Sequence, residues 1–480
     1  MVWILHISDL HRSDDFPINN LMLVESIKQD IADLRKSDEP IDLIVASGDI
    51  IQGSRAQSLE TANEEVDSQY AETRSLLDSL IDLIAAKDWS RLVLVPGNHD
   101  VCWAYSKAAM KQLELSEELQ KRTDSIKLFR KELDRVSSGV RWSWSNLAFY
   151  KVNAPEVYAQ RFNGFSKFFN ELPGDRPLWK NTDDHRFTIQ LYDKHQIAVV
   201  GFCSCFNVDH LNHTGAIHPA SIANAEEELR QQGAKDYLKI AVWHHNTKGG
   251  PTESDYMYDG VLESLTQFRY ALGFHGHQHK SEFVYRYSAV DSEKTMAVIS
   301  AASLCAGAWE LPPGHNRGYN LIRVQDGKMC VWHRELHEIS LMPVWRDSYK
   351  GSSIEVFLRP DAIGDRERNL KSRIIRMQDE GQNKEIVELI ESENALTSPT
   401  FRAAWLDSVK QLHDNRRMAQ IVPCNPAEMI LVLEALKNLG DEKLLYKRLA
   451  EEWVNSEDAS VQRVVSDLKR TLKVRGGKYV

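Results

Sequence analysis

Leu92-Val93-Leu94-Val95-Pro96-Gly97-Asn98-His99-Asp100 is an apolar run that stops at a turn and opens onto three polar side chains. Its four apolar residues, closed off by Pro96-Gly97, read as a short buried strand. A strand that ends in such a loop delivers a side chain to a fixed point with little freedom left. The same figure recurs along the chain. Ile4–Ile7 ends at Asp9-Leu10-His11, Ile41–Ala46 at Gly48-Asp49, and Ala271–Phe274 at Gly276-His277-Gln278-His279. A fifth run, Leu238–Trp243, ends at His244-His245-Asn246. Between the first three runs lie two helical patterns. Leu21, Val24, Ile27, Ile31 and Leu34 form one stripe, and Tyr70–Ala86 turns Leu76, Leu77, Leu80, Ile81 and Ile84 inward. That βαβαβ rhythm predicts an α/β protein with a mainly parallel, buried sheet.

Carboxylate, imidazole and amide oxygen at neighbouring strand ends are the donors that divalent metals take. Hydrolysis of a phosphate ester needs a nucleophile at neutral pH, an offset for the phosphoryl charge, and help for the leaving oxygen. Two metal ions roughly 3.5–4 Å apart supply the first two, because a water bridging them is acidified to hydroxide. The candidate ligands are Asp9, His11, Asp49, Asn98, His277 and His279. A site of nitrogen and oxygen donors without cysteine suits Mn, with Fe or Zn as alternatives. Asp9 and His11, and likewise His277 and His279, are two apart, which on extended backbone places both side chains on one face. The glycines at 48, 97 and 276 flank ligands, where a tight turn or a close approach needs a missing Cβ.

The ordered set Asp9-x-His11, Gly48-Asp49, Gly97-Asn98-His99-Asp100, His244 and Gly276-His277-x-His279 resembles the calcineurin-like metallophosphoesterase superfamily, over about residues 1–340. The resemblance implies a two-sheet β-sandwich flanked by helices, with the site at the strand C-terminal ends. It implies that Asp9, His11 and His279 hold one metal, that Asn98, His244 and His277 hold the other, and that Asp49 bridges them. His99 would sit over the phosphate and protonate the leaving group, with Asp100 orienting it. His245 is the fallback to His244 and a candidate substrate contact; Arg12, beside His11, is another. Relatives usually show proline where Asn246 stands. Protein phosphatases of the superfamily carry Asp-Arg-Gly and Gly-Asn-His-Glu, whereas this chain has Asp49-Ile50-Ile51-Gln52-Gly53 and Asp100. The double-strand-break nucleases' Asp-Phe-Asp-like stretch is also missing. The His275–His279 ending and the His244-His245 pair look most like the bacterial cyclic-nucleotide phosphodiesterase branch. The resemblance thus implies a phosphodiesterase acting on nucleotides, cyclic nucleotides or nucleic acid.

Beyond the site, residues 103–180 read as a helical insertion, rich in Lys, Arg, Glu and Gln and then in aromatics, covering one side of it. The runs after His279, namely 282–287, 296–300, 319–324 and 329–336, have no helix between them and predict an antiparallel second sheet. A boundary falls near 345–365, giving a phosphoesterase domain over 1–345 and an all-α domain over 360–480. The latter's helices are expected at 365–378, 384–390, 400–413, 426–439, 442–453 and 459–472. Asn425-Pro426 marks one start and Gly440 its stop. A helical module of this kind suggests a protein partner or self-association. The alternative reading of the whole chain is therefore a partner-regulated nuclease effector, as in prokaryotic defence.

The 480 residues are 42% hydrophobic and 27% charged, as expected for a folded protein of two domains. A net charge of −10 argues against a surface wholly devoted to nucleic acid. The chain holds no apolar stretch of about 18 residues and no signal peptide, so a cytoplasmic location without membrane contact is expected. Six scattered cysteines without CxxC spacing suit a reducing compartment. His210, His213 and His218 read as surface or capping residues, and His275 as a packed strand end.

Overall fold

The strands, in chain order, are β1 (Val2–Ile7), β2 (Leu43–Ala46), β3 (Leu92–Leu94), β4 (Met110–Gln112), β5 (Val140–Ser143), β6 (Ala148–Val152), β7 (Phe187–Tyr192) and β8 (Ile197–Phe202). They continue with β9 (Leu238–Val242), β10 (Tyr270–His275), β11 (Glu282–Tyr287), β12 (Thr295–Ser300), β13 (Gly318–Gln325), β14 (Lys328–Glu338), β15 (Val344–Asp347) and β16 (Ile354–Phe357). This is a computed structural model, and it describes residues 1–11, 19–114, 131, 138–248, 255–289, 294–307, 309–325, 327–338, 343–348, 353–358, 370–371, 373–378, 380–393, 395–456 and 458–474. Arg12 lies outside the described residues. Two units separate at residue 360: Met1–Pro360 and Asp361–Val480.

The first unit contains two large sheets. One runs β15-β14-β13-β1-β2-β3, with β16 also on β14; the other runs β11-β12-β10-β9-β8-β7. Strands β1, β2 and β3 are mutually parallel, as are β8, β9, β10 and β12, while β7 and β11 close the second sheet antiparallel. Period-two alternation sorts their side chains. Val2, Ile4, Leu43, Val45 and Val93 of the first sheet share one core with Ile197, Val199, Ile240, Val242 and Phe274 of the second. The alternate residues face helices. Leu5, Ile7, Ile44 and Leu94 meet α1 (Asn20–Arg35) and α2 (Leu59–Ile84); Ala198, Val200 and Phe202 meet the helices Pro219–Gln231 and Asp259–Gln267. Strands buried on both faces must be apolar at nearly every position, which is why they read so clearly as runs.

Four expectations need correction. The strands after His279 do not make a sheet of their own. β11 and β12 extend the second sheet, with β12 parallel to β10, while β13 and β14 flank β1 in the first. Residues 103–180 are not simply helical, because β4, β5 and β6 form a three-stranded antiparallel sheet there. Helix α2 begins at Leu59, capped by Ser58, and its polar first half buries Ala62, Val66 and Tyr70 at four-residue spacing. Leu21 on α1 is exposed; Leu23 takes the buried place.

In the second unit, helices Asn383–Ser392, Pro399–Gln411, Pro426–Leu439 and Ala459–Val474 enclose their own apolar core, including Ile386, Trp405, Leu433 and Val461. Asn425 caps its helix by accepting from Glu428 N, and Gly440 ends it at φ 66°. Of the helix expected at 365–378, residues 365–369 lie outside those described. Among the described residues no helix is long and apolar enough to cross a membrane.

Candidate metal centre

Each chain segment that leaves β1, β2, β3, β9 and β10 at its C-terminal end carries polar side chains, and these meet across the two sheets. Asp9, His11 and His279 bring ligand-capable atoms within 4.8 Å of one another, and so do Asp49, His244 and His277. A third overlapping set, His11, Asp49 and His99, joins the two. Asp49 Oδ2 is 3.3 Å from His11 Nε2 and 3.1 Å from His244 Nε2, so a single carboxylate faces both halves. Asn98 Oδ1 lies 3.0 Å from His244 Nε2 and 2.9 Å from His277 Nδ1. His279 Nε2 is 3.3 Å from Asp9 Oδ1.

The hydrogen bonds at the outer edges of the rings define which nitrogen faces inward. A carbonyl only accepts, so a ring nitrogen bonded to one must carry the hydrogen. His244 Nδ1 donates to Ser47 O at 2.9 Å, and His279 Nδ1 donates to Glu310 O at 2.8 Å. Their Nε2 atoms, in the neutral ring, are therefore lone pairs pointing at carboxylate oxygens. His277 Nε2 faces Asp255 Oδ2 at 3.3 Å, which leaves Nδ1 as the inward lone pair, 3.2 Å from His244 Nε2. Neither ring nitrogen of His11 has a hydrogen-bond partner among the described residues, although the side chain is buried. Acceptors packed against acceptors, in a place without water access, are stable only around positive charge. The donor set fits divalent cations, and ligand imidazoles whose outer N–H is fixed by carbonyl or carboxylate are what such sites use.

Protons show the same demand for positive charge. Burial opposes charge on His244, yet Asp49 and Asp9 beside it hold its pKa up at about 9. Burial also opposes charge on His279, and Asp9 and Asp49 raise it. Burial would raise Asp49, but the charges of His244 and His99 keep it well below the usual carboxylate range.

The backbone at these candidate ligands is not extended. Asp9 (φ 50°), His11 (φ 32°), Asp49 (φ 49°), His277 (φ 78°) and His279 (φ 53°) all sit in the left-handed region. The two-apart pairs thus converge through tight turns beyond the strand, not through the pleat of the strand itself. Such backbone is costly for residues with a Cβ and collects at functional sites. Two glycines allow the close approach: a Cβ on Gly97 would stand 2.1 Å from Asp49 Oδ1, and one on Gly276 1.7 Å from Ser8 Oγ.

His99 and Asp100 do not pair as the motif suggests. The Asp100 carboxylate accepts from Gly97 N, Ile50 N and Tyr70 OH at 2.7, 3.1 and 2.9 Å, so it braces the loop. Burial, then repulsion from Asp49, push it up to about 7. The group that holds the His99 ring is the Gln52 carbonyl, 2.7 Å from Nδ1. The His99 backbone N–H also donates to Asp49 Oδ1 at 2.9 Å. His245 is fully buried behind His244; Nδ1 meets Ser204 Oγ at 2.8 Å, and burial followed by the neighbouring His277 and His244 holds its pKa well down. His275 is buried and stacked on Trp243, centroids 5.7 Å apart. His218 caps a helix through Ala220 N, and His210 bonds Ser106. Asp255, Gln52 and Glu310 belong to the site and do not stand out in the sequence. Asp255 sits in a loop without pattern, and Gln52 and Glu310 contribute carbonyls, which every residue has.

Residues 2–281 match the family model described as calcineurin-like phosphoesterase. Solved structures with similarity include the calcineurin-like phosphoesterase YfkN from Bacillus subtilis, 12% identical, covering 77% of this chain and 97% of that one at a TM-score of 0.28. Vps29 from Chaetomium thermophilum is 10% identical, with 74% and 99% covered and a TM-score of 0.26. Zinc-complexed Vps29 from Entamoeba histolytica is 11% identical, with 72% and 99% covered and a TM-score of 0.25. No curated protein matches the chain significantly.

Proposed function

The chain belongs to the calcineurin-like phosphoesterases, metal-dependent hydrolases of phosphoesters, and from that premise we propose that it cleaves phosphodiesters of nucleotides, cyclic nucleotides or nucleic acid. The observation that carries this reading is the shared carboxylate: Asp49 Oδ2 lies within 3.3 Å of a ring nitrogen from each half of the site. In this reading Asp9, His11 and His279 hold one divalent ion, Asn98, His244 and His277 a second, and Asp49 serves both. Mn, Fe and Zn all suit these donors. Ions bound there would offset the phosphoryl charge and acidify a water at neutral pH. His99, anchored through Nδ1 by Gln52, keeps its other nitrogen for the substrate and, in its imidazolium form, passes the Nε2 proton to the leaving oxygen. Asp100 and Tyr70 hold the loop that carries it.

The test is hydrolysis of bis-p-nitrophenyl phosphate by the full chain with added Mn. His99→Ala is expected to lose about a hundredfold to ten-thousandfold in kcat while keeping its metal by elemental analysis. Asp49→Asn is expected to lose both metal and activity. Full activity in both variants would overturn the reading. A panel of cyclic nucleotides, single- and double-stranded DNA, RNA and a phosphomonoester then identifies the ester. The separate apolar core of the helical unit favours a second reading, in which that unit recruits a partner or a second copy and directs the hydrolase as a nuclease effector. Unchanged oligomeric state and binding partners after removal of residues 361–480 would dismiss it.

A further inference from the structure

Two loops of the first unit meet at the mouth of the metal centre, one following His99 and one following β8. Trp103 starts the helix Trp103–Ala109, four residues after His99. His213, in the other loop, lies flat against it, with ring centroids 5.5 Å apart and planes only 12° from parallel. Trp103 is half-buried and packs against the core, whereas His213 is exposed. A flat ring is thus backed on one face by an indole and, among the described residues, remains exposed. Trp103 follows His99 by four residues, and the loop of His213 is bonded through Gly215 to Tyr256, the neighbour of the Asp255 that faces His277. The stacked pair therefore lies beside the site.

The loop is fixed from below. Gly215, two residues on, is pressed so tightly on His245 that a Cβ there would lie 2.4 Å from the ring. Its N–H donates to Tyr256 O at 3.0 Å, and its carbonyl accepts from Tyr258 N at 2.7 Å. Tyr256 and Tyr258 are themselves partly exposed beside Asp255. The rim so held presents a π face beside the centre. Such a face takes any flat base, largely without regard to sequence.

We propose that the exposed face of His213, backed by Trp103, is a stacking subsite for the base of the nucleotide whose sugar carries the scissile phosphate. This rests on the phosphoester reading and deepens it: the substrate class becomes base-bearing nucleotides and nucleic acid, not diesters of small alcohols. Stacking is set by ring geometry and not by the imidazole proton, so a phenyl ring in the same place serves equally.

The experiment is calorimetric binding of two ligands to the Mn-loaded full chain: adenosine 5′-monophosphate, and ribose 5-phosphate, which has the phosphate and sugar without the base. The wild-type chain is expected to bind the nucleotide about tenfold tighter or more. His213→Ala is expected to bring that ratio close to one, and His213→Phe to restore it. A ratio near one in the wild type, or one that survives His213→Ala, overturns the subsite while leaving the phosphoester reading intact. Failure of His213→Phe to restore the ratio overturns stacking as its basis. Failure of both ligands to bind the Mn-loaded wild type overturns the subsite and the phosphoester reading together.

Discussion

At the scale of single residues, the centre is organised by partners that orient ligands. Asp255 illustrates this. Its carboxylate takes the outer nitrogen of His277 and thereby leaves Nδ1 as the lone pair that faces Asn98 and His244. Asp255→Asn is expected to weaken Mn binding about tenfold to a hundredfold in a calorimetric titration, the usual range for such partners. Unaltered affinity would show that the ring is held by packing alone. The residues that cluster here were legible in the sequence because aspartate and histidine at the ends of apolar runs are conspicuous. Asp255 was not, since its partner lies on another loop. Asp100 was misread for a related reason: the motif places it next to His99, but its carboxylate turns to Gly97, Ile50 and Tyr70, and a backbone carbonyl takes the role. Sequence patterns record side-chain types and are blind to carbonyls.

At the scale of elements, the strand ends concentrate groups that resist losing protons when no cation is bound. His244 is raised to about 9, His279 is raised, and Asp100 is raised to about 7. A group whose pKa is higher in the folded chain adds stability below its unfolded pKa and loses that contribution as pH climbs through the folded value. All three act in the same direction. The chelated protein is therefore expected to lose thermal stability as pH rises from about 6.5 to about 9, chiefly through His244. The Mn-loaded protein should lack this slope, because a cation takes the place of the proton. Thermal melts across that range, with and without chelator, make the comparison; parallel curves would contradict it. The strands that hold these groups were readable as apolar runs. The start of α2 was not, because eight polar residues conceal the sparse Ala62, Val66 and Tyr70 stripe.

At the scale of the whole molecule, the candidate ligands come from both sheets: Asp9, His11, Asp49 and Asn98 follow strands of the first, His244, His277 and His279 follow strands of the second. Metal bound at this seam would tie one end of the sandwich together. A ligand present at a hundred times its dissociation constant stabilises a fold by about 2.7 kcal/mol, so chelation should lower the melting temperature of the first unit by several degrees. The second unit has its own core; residues 361–480 alone are expected to give a cooperative helical melt by circular dichroism, unaffected by chelator. Which strands share a sheet was not legible. Nothing local in 282–336 distinguishes β11 and β12 from β13 and β14, because partner choice is settled by the other strands they meet.

The left-handed backbone at Asp9, His11, Asp49, His277 and His279 has one last consequence. Glycine or asparagine would sit at each of these positions with less strain. A screen of variants for thermal resistance alone, run without metal, would thus favour sequences that have erased the centre. Stability and purpose pull in opposite directions at five points of this chain, and an engineer who wants a hardier version must leave those five untouched.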